Sequence, residues 1–220
     1  MDLLEDGSSI EVLSMCLRSA IRAREGYDIV CADYSNIEGR FGAWLGGELW
    51  KLAAFRAFDD GTGHDLYKIA AAGILGVTPE EVTKALRNAL GKVSELALQF
   101  QGGVGAFLAM AKVYRVEIAD YWGVIQEALP ARIIEEAHDA WDTFGKRSGI
   151  DRITWLAAEA VKRAWREKHP GIVQTWRDCE DAAIQAIRSP NTPVTICEGR
   201  LSFLARTVMG RPFLLMRLPS

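Results

Sequence analysis

The sequence predicts an α+β protein that is mainly helical, with a small β part. Apolar residues recur at helical spacing over most of residues 48–188, interrupted by breaks that contain glycine or proline. From residue 194 onward, short β-branched or apolar runs alternate with glycine-containing turns, which is typical of a strand meander. A separate β-branched run, residues 29–32, precedes these helices and predicts a buried strand.

Composition and charge limit the classes of protein that fit this chain. The chain has 220 residues, of which 49% are hydrophobic. No apolar run approaches the ~20 residues of a membrane span, so no membrane partner is expected. The acidic first six residues do not resemble an export signal, and the four scattered cysteines favour a cytoplasmic location and argue against a zinc site. Because the formal net charge is −3, any contact with nucleic acid must come from a local basic face.

A strand that runs directly into a helix is predicted near the N-terminus. An amphipathic helix over residues 10–24 leads to the strand of residues 29–32, and the next helix starts with Ser35 and Glu38 spaced as a capping box. Asp33 lies at the joint, beside the N–H groups of a helix N-terminus, which suits a divalent cation and its phosphates. Two plainer interpretations stay open: Asp33 as a turn residue, and Glu38 as half of the cap.

The strongest helix start in the sequence is Thr78, followed by Pro79 and by Glu81 at the third helical position. This helix is predicted to extend to Phe100. Its Lys92 and Phe100 are separated by about 12 Å along the axis and about 80° around it, so the ammonium can reach a triphosphate while the ring lies under a base. The helix also has a polar stripe, which faces either a ligand or water: Lys84, Asn88, Lys92, Glu95 and Gln99.

The remaining elements follow from periodicity and from the breaks between them. Helices are predicted over residues 48–58, 65–74, 104–114, 118–128, 131–144, 153–168 and 172–188, and strands over 194–197, 201–204 and 212–216. The helix of residues 153–168 mixes basic residues with Trp155 and Trp165. This mixture suits a surface that faces nucleic acid, and it suits equally a solvated helix with buried tryptophans.

Two stretches resemble motifs of one enzyme family. Residues 33–40, Asp-Tyr-Ser-Asn-Ile-Glu-Gly-Arg, resemble the first catalytic motif of family A DNA polymerases of the bacteriophage type. Residues 87–103 resemble the second motif, the nucleotide-binding helix of the fingers, which carries an Arg, a Lys, an aromatic residue eight places after that Lys, and then glycine. Residues 165–176 also resemble that group in order and spacing, so the resemblance covers most of the chain.

The resemblance implies a role for each matching residue. Asp33 is similar to the metal-binding catalytic aspartate, and the Tyr34 carbonyl is a second possible metal ligand. Glu38 resembles the gate that excludes a ribose 2′-hydroxyl, Lys92 the catalytic lysine that binds the triphosphate, and Phe100 the aromatic residue that stacks beside the templating base. The implied cofactor is Mg²⁺, with two ions in the complete enzyme, and the implied partners are primer–template DNA and dNTPs.

Two further candidates for nucleotide binding depart from the family pattern. Arg87 lies five residues before Lys92 where the family has four, so in an α-helix it would be about 140° away around the axis and a doubtful phosphate ligand. Tyr67, two residues after Asp65, stands where many cellular family members have a histidine. His64 lies on the other side of Asp65 and does not take that role.

The resemblance also implies a domain arrangement: residues 1–46 as part of a palm, 47–189 as helical fingers, and 190–220 as further palm strands. No sequence here matches the third family motif, a His-Asp-Glu on a β-hairpin. The only partial match is in residues 136–140, which follow a helical pattern and are expected to form a solvated helix face. Ser220 therefore resembles a truncation point. The rest of the palm and the thumb would be partners, and the isolated chain is expected to lack activity.

Two other functions remain open from sequence. The chain could be a non-catalytic helical module that binds nucleotide, nucleic acid or a protein partner. It could also be an unrelated metal-dependent hydrolase that uses Asp33 with His64 or Asp65, although that reaction calls for a second carboxylate at a defined spacing.

Overall fold

The computed structural model describes residues 13, 16, 17 and 20–219, and the chain divides into two compact units with the sequence boundary between Ser35 and Asn36. It is mainly helical with a small antiparallel sheet, which confirms the predicted fold class. The helix predicted over residues 10–24 lies largely outside the described residues. No helix of the described chain is long and apolar enough to cross a membrane.

The predicted strand over residues 29–32 is wrong. These residues belong to the first unit and form neither helix nor strand. Val30 is 90% exposed, where a buried strand requires an inward-facing side chain. A β-branched run becomes a strand only when its backbone hydrogen-bonds to a neighbouring strand, and in the part of the chain that the structure describes the sheet consists of the three C-terminal strands.

The second unit contains a succession of helices whose bounds match the predicted ones to within a few residues. In chain order the α-helices are α1 (Ile37–Gly46), α2 (Leu49–Asp59), α3 (Leu66–Leu75), α4 (residues 84–98), α5 (Val104–Val113), α6 (Trp122–Ala128), α7 (Ala131–Thr143), α8 (Arg152–Lys168) and α9 (Pro170–Arg188). Short 3₁₀ turns cover Pro79–Glu81, Ile118–Tyr121 and Gly145–Arg147.

Helix α4 differs from its prediction in two ways. The capping box at Thr78 is confirmed, but it opens only the 3₁₀ turn Pro79–Glu81. The helix itself begins after Thr83, whose hydroxyl accepts a hydrogen bond from the Leu86 N–H at 3.2 Å. Helix α4 is also not α-helical throughout, because Lys84–Leu86 and Val93–Leu98 are α-helical and Arg87–Lys92 between them is a π-helix.

The C-terminal meander is confirmed. Strands β1 (Val194–Ile196), β2 (Leu201–Val208) and β3 (Arg211–Arg217) form an antiparallel sheet in the order β1-β2-β3, with Phe203 opposite both Val194 and Met216. The sheet packs on α9 through a small cluster in which Phe203 contacts Ala182 and Ala186. This arrangement attaches the sheet to the helical body.

The main core lies among the helices from α3 to α9. Helix α8 supplies much of it, because Trp155, Leu156, Val161 and Trp165 are all buried. Burial of apolar area on this scale is the chief stabilising contribution to such a helical body. The core therefore holds α4, the candidate nucleotide-binding helix, against α3, α5 and α8.

Candidate functional site

The candidate metal ligands Asp33 and Tyr34 belong to the first compact unit. Both side chains are exposed. A carboxylate and a backbone carbonyl are oxygen donors of the kind that Mg²⁺ takes, so the donor chemistry of these two residues fits one such ion. In the described part of the chain, no group of three or more His, Cys, Asp or Glu side chains is placed to hold a metal.

The start of α1 differs from the predicted capping box. The N-cap residue is Asn36 rather than Ser35, and its side chain makes no capping hydrogen bond. Asn36 has a left-handed backbone conformation (φ 51°, ψ 45°), which asparagine tolerates better than most residues. Glu38 lies in the first turn of α1 with an exposed side chain.

Two cationic side chains of α4 converge on one aromatic ring. The guanidinium carbon of Arg87 lies 5.0 Å from the centroid of the Tyr67 ring, and Lys92 Nζ lies 6.0 Å from the same centroid. Lys92 Nζ also lies 4.2 Å from the ring centroid of Tyr114, the residue that follows α5. Cations at such distances are attracted by the ring faces. The structure thus brings together Tyr67, Arg87 and Lys92, and it adds Tyr114, which the sequence analysis missed.

The π-helical segment explains this convergence. A π-helix closes i→i+5 hydrogen bonds, and the Val93 N–H bonds to the Asn88 carbonyl in this way. Residues five apart therefore lie closer together around the axis than the about 140° that separates them in an α-helix. The expectation that Arg87 is turned away from Lys92 is wrong, because the π-helix absorbs the extra residue between them.

Arg87 is anchored at one end. Its Nε donates to both carboxylate oxygens of Asp65, at 3.0 and 3.1 Å, and its Nη1 donates to Asn88 Oδ1 at 3.0 Å. Asp65 also caps α3 by accepting from the Tyr67 and Lys68 N–H groups. Asp65 thus has a structural task, and it fixes the guanidinium over Tyr67.

Lys92 differs from Arg87 in its electrostatic surroundings. Within residues 20–219 no carboxylate oxygen lies within ion-pair distance of Lys92 Nζ, although the side chain is half-buried. The nearby Tyr67 hydroxyl stays protonated at neutral pH, because burial, Tyr114, Glu95 and Glu38 raise its pKa against the lowering effect of Arg87. An ammonium with a neighbouring O–H donor is suited to receive an anion.

Glu38 and Phe100 are connected through Gln99. The Gln99 side-chain amide donates to the Glu38 carbonyl, and the Gln99 carbonyl accepts from Trp176 Nε1 at 3.1 Å. Phe100 follows directly and is 70% exposed, so its ring is available for stacking. The polar stripe of α4 does not face water throughout, since Glu95 and Gln99 are buried.

A buried polar network lies next to Lys92 along α4. Lys51 Nζ donates to Glu95 Oε2 at 2.5 Å, and Trp165 Nε1 donates to Glu95 Oε1 at 2.9 Å. His169 Nδ1 lies 2.7 Å from the Trp165 carbonyl oxygen, and its Nε2 lies 3.3 Å from Lys51 Nζ and 3.4 Å from Glu95 Oε1. The sequence analysis missed this network, because Lys51 in α2 and His169 before α9 meet Glu95 only after folding.

Burial and charged partners shift the pKa of Glu95 in opposite directions. Burial alone would raise the pKa of its carboxyl group, but Lys51 and His169 outweigh it and hold the pKa at about 2. The carboxylate is therefore charged across the physiological range, and the network is an ionic anchor for the middle of α4.

Other candidate groups have structural partners. His64 Nε2 lies 2.7 Å from Glu80 Oε1, and Asp65 is committed to Arg87 and to the α3 cap, which argues against a hydrolase centre at these two residues. The partial third motif in residues 136–140 is helical, as predicted.

The mixed basic and tryptophan helix, α8, lies largely in the core. Trp155 and Trp165 are buried, and Lys162 and Arg163 both pair with Glu159. The two basic side chains thus share one carboxylate.

Comparison with known proteins adds one relative. No family model matches the chain. The chain is similar to a DNA polymerase of Bacillus phage SP02, with 34% identity over 195 residues. The similarity covers 88% of this chain and 23% of that polymerase, so the chain spans less than a quarter of the length of its relative.

Proposed function

We propose that this chain is the nucleotide-binding part of a family A DNA polymerase, a fragment of an enzyme that transfers deoxynucleotides from dNTPs to a primer 3′ end. The similarity to the phage polymerase supports a polymerase origin. The two sequence motifs, in the family's order, support family A. The convergence of Arg87 and Lys92 on Tyr67 is the single structural observation that carries the proposal.

The proposed domain assignment follows from the resemblance. Residues 1–46 would belong to the palm, 47–189 to the fingers and 190–220 to the returning palm strands. The contiguous helical core and the separate sheet cluster on α9 are compatible with the last two parts. The remaining palm, the thumb and primer–template DNA would be partners of this chain.

The proposed mechanism assigns one task to each described side chain. Lys92 binds and neutralises the triphosphate, Arg87 lies beside it over the same ring while Asp65 holds its Nε, and Tyr67 donates a hydrogen bond from its hydroxyl group to an anionic oxygen. Phe100 stacks at the base, and Glu38 excludes a ribose 2′-hydroxyl. Asp33 and the Tyr34 carbonyl would be ligands of Mg²⁺, and the two ions of the complete enzyme would supply activation of the primer hydroxyl and positive charge for the triphosphate.

Nucleotide binding tests this proposal directly. We expect the purified chain to bind dATP in the presence of Mg²⁺, as measured by titration calorimetry. Lys92→Ala should weaken binding by about tenfold or more, because a half-buried charge-assisted contact to phosphate is lost. Lys84→Ala removes an exposed lysine from the first turn of the same helix and should leave the affinity unchanged.

A negative result would contradict the proposal, whereas dATP binding is shared with a non-catalytic module that binds nucleotide. A chain that binds no dATP, or in which the two lysine variants behave alike, would contradict a triphosphate site at Lys92. It would favour the non-catalytic helical module, whose ligand would have to lie elsewhere.

A further inference from the structure

The buried amide of Gln99 makes an unusual cross-link between two helices. Gln99 is 4% exposed and follows the last residue of α4, and its side chain reaches the Glu38 carbonyl in the first turn of α1. A carbonyl oxygen can only accept a hydrogen bond, so the group that faces it must be the amide nitrogen. The orientation of the Gln99 side chain is therefore determined by its partner.

The sequence of α1 leaves room for this contact. Gly42 lies four residues after Glu38, where a side chain would cover the Glu38 carbonyl along the helix. A Cβ at Gly42 would lie 3.0 Å from both Cδ and Nε2 of Gln99, which is tighter than ordinary van der Waals contact. The absence of a side chain at this position thus permits the Gln99 amide to reach α1.

The other end of Gln99 is also held. Trp176 of α9 donates a hydrogen bond from Nε1 to the main-chain carbonyl of Gln99 at 3.1 Å. The Trp176 ring also stacks with Trp165 at an interplanar angle of 10°. Trp165 in turn donates to Glu95. The backbone that leads into Phe100 is therefore fixed to the core, while the side chain of the same residue holds Glu38.

The start of α1 needs such an anchor. Its N-cap residue, Asn36, makes no side-chain capping hydrogen bond, and the first turn of a helix frays when its ends are not held. A steric gate selects against one hydroxyl group only if its position is defined to a fraction of an ångström.

We propose that Gln99 is a positioning residue for nucleotide selection: it fixes Glu38 relative to Phe100 and so contributes to the preference for deoxyribonucleotides over ribonucleotides. This inference rests on the proposed function of Glu38 and Phe100. Gln99 itself touches neither sugar nor base in this assignment. It acts by setting the distance between the residues that do.

Two variants disrupt the same hydrogen bond from opposite sides. Gln99→Met keeps the length of the side chain but removes the donor, and Gly42→Ala displaces the amide without altering Gln99. The affinities of each variant for dATP and for ATP are measured with Mg²⁺ by titration calorimetry. We expect the preference for dATP over ATP to fall about five- to tenfold in both, because one defined hydrogen bond is lost, while the affinity for dATP changes less.

Gln185→Met, at an exposed glutamine of α9, is the matched control and should keep the wild-type preference. Thermal melting shows whether each variant is folded. If Gln99→Met does not fold, Gly42→Ala still tests whether the hydrogen bond to Glu38 contributes to the preference for dATP. A wild-type chain that binds dATP selectively, with both variants equally selective, overturns the role of Gln99 and leaves the proposed function intact. A wild-type chain that binds no dATP, or binds ATP equally well, overturns the inference together with the gate on which it rests.

Discussion

Lys51 is a fully buried cation whose charge is balanced by Glu95 and which also contacts His169 and the Trp165 ring. Desolvating such groups is costly, and the cost is offset only while the partners are complete. The network joins α2, α4 and the start of α9, so it determines where the middle of α4 lies. Its residues are positioned to support Lys92 without touching a nucleotide.

Removing the charge of Lys51 should therefore destabilise the folded chain. We expect Lys51→Met to lower the free energy of unfolding by about 3–5 kcal/mol, because Glu95 is left buried without its counter-charge. Urea denaturation followed by circular dichroism measures this change. Glu167→Gln, which breaks the exposed ion pair with Arg132, is the control and should cost less than about 1 kcal/mol.

The double variant Lys51→Met/Glu95→Gln distinguishes an ionic anchor from simple packing. It should be less destabilised than the sum of the two single variants, since neither charge then remains alone. Additive costs would mean that the two residues contribute independently of one another.

Acid should weaken the same anchor. The Glu95 pKa is about 2 in the folded chain, against 4.5 for an unperturbed glutamate, so the unfolded chain binds this proton first as the pH falls. The stabilisation is complete above about pH 4.5 and is lost as the pH approaches 2. We expect the difference in unfolding free energy between the wild type and Glu95→Gln to shrink over this range. A difference that does not change with pH would contradict a charged Glu95.

At the scale of elements, the π-helical part of α4 is the main departure from the predicted structure. Apolar periodicity located the helix and its buried face correctly, with Ala89, Leu90 and Val93 inside. It did not reveal the change of helical pitch, because a π-helix exchanges hydrogen-bond partners without changing which residues are apolar. The pitch is what returns Arg87 to the face of Lys92.

Gly91 allows this segment to pack against α3. A Cβ there would overlap the Tyr67 carbonyl oxygen, which is backbone and does not move aside easily. We expect Gly91→Ala to separate the two helices, to lower the free energy of unfolding by about 1–3 kcal/mol, and to weaken dATP binding. Urea denaturation and titration calorimetry measure the two effects.

Gly105→Ala is the matched control, because a Cβ at that position in α5 meets no atom within 4 Å. Alanine is also the better helix former, so this variant should be as stable as the wild type or slightly more stable. If Gly91→Ala behaves like Gly105→Ala, the close approach of α3 and the π-helix is not required.

Some of the other elements were predicted accurately from sequence and one was not, and the difference has a physical reason. The bounds of α5, α7, α8, β1 and β3 were predicted closely, because turns, caps and periodicity are local signals, whereas β2 extends four residues beyond its predicted end at residue 204. The run of residues 29–32 has the composition of a strand but needs a neighbouring strand to become one. Composition alone could not show that this neighbour is missing from the described chain.

At the scale of the whole molecule, catalysis requires more than a nucleotide site. We expect the 220-residue chain to bind dATP but to extend a primer poorly or not at all, because Asp33 is its one proposed carboxylate ligand and a two-metal reaction shares several. A gel assay with a labelled primer–template, dNTPs and Mg²⁺ measures extension. Robust extension would contradict the assignment of a single carboxylate, and binding without extension supports it.

The sequence by itself determined the fold class, the succession of helices from α1 to α9, the three C-terminal strands and the order of the two motifs, because these depend on neighbouring residues along the chain. The tertiary structure alone decided that Arg87 and Lys92 share the ring of Tyr67, that Lys51, Glu95 and His169 meet in the core, and that Gln99 holds Glu38. Each of these contacts joins distant segments, and its energy depends on a buried geometry that exists only once the helices have packed.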